Sequence, residues 1–476
     1  MNRLCYFATA MVLLAGCSRQ GGEQVETFEP NLVHAMKYQM KEGIPMNQAA
    51  RDASWIVGQM FGTPDNPKLP ELFQDEDFAG LISMERLQQA AGPPGPDSGL
   101  YRQHCASCHG VTGNGRGVNS ALLDPYPRDY RAGIFKFKST ERGAKPVRED
   151  LARTIRHGIA GTTMVPYSEL AKQSIGTGEL PDKSADVAAP AEMSDEEAAK
   201  LEEQIQALVD YVIYLSIRGE VERTLIDDAV FELDLAGGDR VINREFGESL
   251  AGGGREEVEQ QIAAWEEAGE PEDTPGEALA DKLELFDESM EIAEDLTADI
   301  ADQWLEAEDE VVEVPEPPND IPVTESHDDF IAKSQGEQAE ALAKSVARGK
   351  EVFLGKVASC SKCHGEKGHG DGQTNDYDDW TKDWTERAGL KPENTEALIP
   401  LMARGALPPK NAKPRNFADG IFRGGESSED LYRRISQGIE GSPMPASTFV
   451  EGEYDKDDIW NLINFVRSVE ANAPGA

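Results

Sequence analysis

The apolar positions of this chain fall largely at helical spacing. Between Asn31 and Phe61 the stretch NLVHAMKYQMKEGIPMNQAARDASWIVGQMF reads as helix-prone. Two denser apolar runs, LVDYVIYLS at 208–216 and DIWNLINFVRS at 458–468, predict further helices. Leu279, Leu283, Phe286, Met290, Ala293, Ile300 and Trp304 recur at spacings of three, four or seven, and Val258, Ile262 and Trp265 form a shorter stripe. Such stripes need a surface to bury against, with carboxylates left on the opposite face. The segment VVEVPEPPND at 311–320 breaks the pattern and reads as an extended linker.

The two dense runs close two copies of one repeat. CHGVTGNGRG (108–117) matches CHGEKGHGDG (363–372), PRDYRAGIFKF (127–137) matches PRNFADGIFRG (414–424), and RTIRHGIAGTTM (153–164) matches RRISQGIEGSPM (433–444). A unit repeated at this length is a repeated domain. The second copy carries an insertion before PRNF, including DYDDWTKDW at 376–384.

Each copy opens on C-x-x-C-H: Cys105, Cys108 and His109, then Cys360, Cys363 and His364. A tetrahedral zinc site would need a second ligand pair a few tens of residues away, whereas these pairs stand about 250 residues apart. A thioredoxin-like redox pair needs neither the histidine nor a second copy. The pattern is that of c-type haem attachment. One helical turn sets both sulfurs against the two vinyl groups, and the next imidazole then points at the iron. Of the six cysteines these account for four, which leaves Cys5 and Cys17 and argues against a disulfide framework.

The repeat also nominates the sixth iron ligand. Met164 and Met444 stand at the same offset in the two copies, each just after a Gly-Ile-x-Gly turn. A thioether is a soft ligand suited to iron, and paired with histidine it favours the ferrous state. His157 aligns with Gln437 and His369 with Asn114, so neither behaves as a ligand, and His104 has no counterpart. His34, Met36, Met40 and Met46 read as packing residues. Arg128 and Arg415 suit haem propionates or solvent equally. Pro127 or Pro414 either offers a carbonyl to the proximal histidine or serves only a turn. The glycines of GNGRG and GHGDG serve tight turns.

With these motifs in hand the chain resembles class I c-type cytochromes, twice over. The resemblance implies a mainly α fold: two tandem class I cytochrome c domains separated by an acidic helical insert, with an N-terminal helical extension. It implies that the helix before each C-x-x-C-H crosses the C-terminal helix of its domain, Tyr101 facing Tyr211 and Phe353 facing Phe465. Two haem c groups follow, bound through Cys105, Cys108, Cys360 and Cys363, with His109 and His364 as proximal and Met164 and Met444 as distal iron ligands. Phe353 lies further from Cys360 than Tyr101 does from Cys105, and the insertion leaves the cover of the second haem open. The expected boundaries are 1–16 for a leader, 17–95 for a linker and extension, 96–218 and 336–476 for the two haem domains, and 219–335 for the insert.

The leader rests on MNRLCYFATAMVLLAGC: Arg3, then an apolar run too short to span a bilayer. Its end, Leu14-Ala15-Gly16-Cys17, resembles a bacterial lipobox, so Cys17 is the expected lipidation site and the chain is expected on the periplasmic side of a bacterial membrane. Ser18 hints at the outer membrane. The charge is uneven: residues 219–330 hold 37 Asp and Glu against 5 Lys and Arg, which is −32 of the formal −42. So acidic a surface excludes nucleic acid and suits basic redox partners. The chain therefore reads as an electron carrier between respiratory partners outside the cytoplasm, with no catalytic residue and no substrate on the metal. The alternatives are a cytochrome c subunit of a larger membrane oxidoreductase and a dihaem peroxidase-like enzyme, which would need an open sixth position.

Overall fold

The computed structural model describes residues 25–92, 98–175, 194–231, 244–271 and 274–471. The leader, Cys5 and the lipobox Cys17 lie outside them. The N-terminal extension forms α1 (Leu32–Glu42), α2 (Asn47–Phe61) and α3 (Met84–Ala90). The first repeat unit contributes α4 (Leu100–His104), α5 (Ala106–His109), α6 (Arg148–His157), α7 (Tyr167–Ile175) and the long α8 (Asp195–Phe231). The acidic stretch holds α9 (Arg244–Ser249), α10 (Arg255–Glu267) and α11 (Pro275–Leu305). The second unit is built from α12 (His327–Gln335), α13 (Ala339–Leu354), α14 (Ser361–His364), α15 (Asp379–Thr385), α16 (Ile399–Met402), α17 (Ser428–Gln437) and α18 (Asp458–Ala471). Among the described residues the extended chain forms only isolated bridges, and no helix is long and apolar enough to cross a membrane.

Helix α8 organises the first half of the molecule. Its run 205–217 is buried almost without interruption, and Val221, Leu225, Ile226 and Ala229 stay buried in the same core, so the helix passes residue 218 without a break. The extension packs on it: Tyr214 donates to the Phe61 carbonyl, and the Asn31 N–H donates to Glu222 at 2.8 Å. Glu222 also pairs with Arg218 at 2.7 Å, both fully buried, and the Arg218 guanidinium lies 4.2 Å from the centre of the Phe28 ring. A buried pair holds only when other groups compensate both charges, and this one is shared by the extension and the haem unit.

The long apolar stripe of the acidic stretch closes on this core. Ala293, Thr297, Ile300, Ala301 and Trp304 of α11 are buried, with Trp304 edge-on to Phe135 at 5.7 Å. Nearer its N-terminus, Phe286 meets Trp55 of α2 edge-on at 6.2 Å. Glu284, Glu288, Glu291 and Asp295 face solvent. The linker then pairs with the first unit, Val312 N–H donating to Ser139 O at 2.9 Å, before Val314, Ile321 and Val323 join the core of the second.

In the second unit α13 crosses α18 so closely that a Cβ on Gly349 would lie 2.0 Å from the Asn461 carbonyl oxygen. Polar groups line this crossing: Arg348 pairs with Asp458 at 2.7 Å, and Ser345 donates to Asn461 at 2.8 Å. The extra residues between Phe353 and Cys360 are taken up by a loop in which Ser359 has φ +52°. Phe353 still reaches Phe465 at 4.9 Å, as Tyr101 reaches Tyr211 at 4.8 Å, the crossing expected in both units.

The insertion of the second unit packs away from its own core. Trp384, Leu398 and Leu401 form a separate apolar cluster with Met36 of α1. His34 and Lys37 are buried beside it, His34 Nε2 bonding Asp227 of α8 at 2.7 Å and Arg223 pairing with Asp383 of α15 at 3.1 Å. The side chains of α1 thus serve packing and a polar lock.

Candidate haem sites

Each C-x-x-C-H forms one helical turn. Cys105 O accepts from Cys108 N at 3.1 Å and from His109 N at 2.9 Å; Cys360 O accepts from Cys363 N at 3.2 Å and from His364 N at 3.0 Å. The turn stops at a glycine with positive φ, Gly110 at +78° and Gly365 at +75°. The chain then folds back, Gly115 N donating to His109 O and Gly370 N to His364 O, both at 2.8 Å.

This return fixes the imidazoles. His109 Nδ1 bonds the carbonyl oxygen of Arg128 and His364 Nδ1 that of Arg415, both at 3.1 Å. A carbonyl only accepts, so Nδ1 carries the proton and Nε2 presents its lone pair to the site. Of the two roles the sequence left open for Pro127 and Pro414, the carbonyl bond to histidine falls one residue later. The proline carbonyls lie against the glycine turns instead, 3.0 and 2.7 Å from where Cβ atoms of Gly115 and Gly370 would stand. A flat ring holds each imidazole from the side: Tyr130 at 5.1 Å and 13°, Phe417 at 4.6 Å and 19°. Burial pushes both histidines below their ordinary value, which keeps the imidazole neutral.

Among the described residues the four cysteines form no disulfide, and burial pushes the Cys105 thiol up to about 12 and the Cys360 thiol up to about 11. A reactive redox cysteine would be shifted the other way. Among the described residues no three His, Cys, Asp or Glu side chains converge on one point as a metal cage would require.

The methionines sit on two loops with the same bonds. In the first, Gly158 and Gly161 have φ +66°, Ile159 N donates to Met164 O at 2.8 Å, and Met164 N donates to Thr162 Oγ1 at 3.1 Å. In the second, Gly438 and Gly441 have φ +69° and +68°, Ile439 N donates to Met444 O at 3.1 Å, and Met444 N donates to Ser442 Oγ at 3.3 Å. Each hydroxyl also donates to the isoleucine carbonyl of its loop, at 2.8 and 2.7 Å. A hydroxyl two residues before methionine in both copies was the available signal for Thr162 and Ser442. Both methionines are half-buried, while His157 and His369 are exposed, and the His104 ring lies edge-on to Tyr167 at 5.4 Å.

Both donor sets fit a haem c. Each has two thiols one turn apart, a neutral imidazole with Nε2 free, a thioether on a separate loop, and an arginine, Arg128 or Arg415, whose guanidinium has no ion-pair or hydrogen-bond partner among the described residues.

Residues 346–470 match the family model described as cytochrome c, and residues 98–176 match that described as cytochrome c oxidase, cbb3-type, subunit III. No curated protein matches the chain. A chain of the reducing HAO-like protein complex of Kuenenia stuttgartiensis is similar at 19% identity, over 82% of this chain and 96% of that one, with a TM-score of 0.37, too low to bear on the fold. The motif-bearing part of each repeat unit thus falls in a cytochrome c match of its own, and two cytochrome c domains imply two covalently bound haem c groups that serve electron transfer.

Proposed function

We propose that this chain is a dihaem electron carrier in which both irons are six-coordinate. Cys105 and Cys108, then Cys360 and Cys363, would form the thioether bonds, and His109 with Met164, then His364 with Met444, would supply the iron ligands. When bound, the haem supplies a one-electron Fe(III)/Fe(II) couple. The chain's residues do the rest: the carbonyls of Arg128 and Arg415 hold the proton on Nδ1, Tyr130 and Phe417 fix the ring planes, and the Thr162 and Ser442 hydroxyls fix the methionine loops. The observation that carries the reading is that the histidine clamp and the methionine loop recur bond for bond in both units. Two committed methionines leave no position for a substrate, which separates a carrier from a peroxidase.

The test is spectroscopic. Pyridine haemochrome analysis should return two haems c per chain, and one after Cys360→Ala with Cys363→Ala. The oxidised protein should show the weak methionine-to-iron band near the red end of the spectrum, and the reduced protein should bind carbon monoxide slowly or not at all. Replacing either methionine by Ala should open one site and lower that haem's potential. Fast peroxide turnover by the unmodified protein would sink the carrier assignment.

A second reading, a subunit of a larger membrane oxidoreductase, is favoured by the description of the family matched by the first unit. The acidic face of α11 would then meet a basic partner. Glu284→Gln, Glu288→Gln, Glu291→Gln and Asp295→Asn together should slow association with such a partner and flatten its salt dependence. Cys17 is proposed as the lipid anchor that keeps the chain on the periplasmic side of a membrane. Cys17→Ser should release the protein or leave it uncleaved; processing and membrane retention as before would rule the anchor out.

A further inference from the structure

The two units meet along a seam with approximate two-fold character. The Ile421 methyl Cγ2 lies 2.9 Å from where a Cβ of Gly161 would stand, and the Ile134 Cγ2 lies 3.0 Å from the same point at Gly441. Ile134 and Ile421 are repeat equivalents, as are Gly161 and Gly441, so the contact is exchanged between the units. The glycines sit on the methionine loops. At φ +66° and +68° they suit glycine, and the space a side chain would fill is occupied from the other unit.

Polar groups follow the same crossed path. Arg423 of the second unit donates to Gly161 O at 3.2 Å, in the Met164 loop. From the first unit Arg142 donates to Met444 O at 3.4 Å, while Lys138 Nζ reaches Glu440 Oε2 at 2.6 Å and Gly143 N donates to the same oxygen at 3.2 Å. Lys138 is nearly buried, its side chain 5% exposed, so this ion pair is shielded from solvent in a way surface pairs are not. Glu440 has Ala160 as its repeat equivalent, so the charged latch belongs to the Met444 loop alone.

We propose that each distal methionine is positioned by side chains of the opposite unit: Met164 by Ile421 and Arg423, Met444 by Ile134, Lys138 and Arg142. This rests on the reading of both methionines as iron ligands. Each of these five residues acts through the loop it braces. Substitutions on one side of the seam therefore change ligation on the other side.

The full-length holoprotein tests this, with the two redox waves assigned first by Met164→His and Met444→His. Lys138→Gln should lower the potential of the Met444 haem and weaken its methionine signal while leaving the Met164 haem unchanged. Arg423→Gln should do the reverse, and Arg423→Lys should restore much of the loss. Where a single methionine is freed outright, the band from two equivalent ligands should fall to about half. Ile134→Leu and Ile421→Leu, which take away the Cγ2 methyl that meets the glycine at nearly constant side-chain volume, should give the same crossed directions with smaller shifts. Effects confined to the substituted unit's own haem, or both bands intact in every seam variant, would overturn the proposal. Absence of the band in the unmodified protein is a different result, since it would remove the methionine assignment itself.

Discussion

Tyr101 and Phe353 hold the same place in the repeat, yet the cores around them differ. Around Tyr101 one continuous apolar cluster runs from Phe28 of the extension, through α2, α3 and α8, to Trp304 of α11. Around Phe353 the cluster is smaller and mostly local, and the crossing of α13 with α18 is lined by Arg348, Ser345, Asn461 and Asp458. Despite this, the histidine clamps agree at 3.1 Å in both units, and both methionine loops keep the isoleucine N–H to methionine carbonyl bond and the hydroxyl that accepts from the methionine N–H and donates to the isoleucine carbonyl. The site geometry follows from local backbone returns at glycine and from short-range hydrogen bonds. The scaffold sets how firmly that geometry is held, and by which distant parts of the chain.

The largest break in the comparison should come from Trp304→Ala. Trp304 is 5% exposed and packs edge-on against Phe135, itself stacked beside Tyr130. Truncating a buried tryptophan costs about 3–5 kcal/mol. If the first unit depends on the acidic stretch for its core, guanidinium unfolding should split into two steps, with only the first unit's step moved to lower denaturant. A uniform shift of a single transition would mean that the two units unfold as one.

Acid should next loosen the lock that joins the extension to the second unit's insertion. Burial, with Arg223 and Lys37 nearby, lowers His34 to about 4 from 6.5, while Asp227 and Asp383 face it from α8 and α15, and Tyr38 also donates to Asp227. A histidine kept neutral in the fold takes up its proton first in the unfolded chain. Its contribution is therefore complete above pH 6.5 and is lost as pH falls towards 4, by roughly 3 kcal/mol at the lower end. Asp227, which burial pushes up but the hydrogen bond from His34 brings down to about 2, titrates below that window. Amide protection factors in α1, corrected for the intrinsic slowing of exchange in acid, should fall between pH 6.5 and 4, and His34→Gln should flatten the profile. Protection that stays constant down to pH 4 would contradict this account.

A smaller effect, confined to the second unit, is expected from Gly349→Ala. The new Cβ meets a backbone carbonyl, which cannot turn aside as a side chain would. Forcing the helices apart costs about 1–3 kcal/mol. Four residues before Tyr101 stands Asp97, where Gly349 stands before Phe353, so the first unit carries no equivalent glycine and its unfolding should not move. Equal loss in both units would show that the seam transmits strain between them.

How much of this was legible in the sequence divides along the same line. The haem motifs and the matching positions of Met164 and Met444 announce themselves through residue type and repeat offset, and the facing pairs Tyr101–Tyr211 and Phe353–Phe465 follow from the resemblance to class I c-type cytochromes. The stripe ending at Trp304 announced a buried face but not its partner. What could not be read was anything carried by backbone atoms or by distant contact. Any residue can offer a carbonyl, so nothing about Arg128 or Arg415 marks them out against Pro127 or Pro414. The insertion's cluster with Met36 joins positions more than 300 residues apart, and the exchanged isoleucines look like ordinary core residues until the seam is seen.

The smallest effect bears most directly on what holds the ligand loops. Thr162 and Ser442 each accept from the methionine N–H and donate to an isoleucine carbonyl. Replacing either by Ala removes hydrogen bonds worth about 1 kcal/mol net. If local bonds alone set the loops, Thr162→Ala and Ser442→Ala should lower the temperature at which the methionine-to-iron band disappears by equal amounts. The Met444 loop, however, has the Lys138–Glu440 latch and the Met164 loop does not. Ser442→Ala should therefore cost the band less than Thr162→Ala, and the difference should vanish when Glu440→Gln is added to Ser442→Ala. Equal losses in the single variants would mean that the latch across the seam bears no load on the methionine.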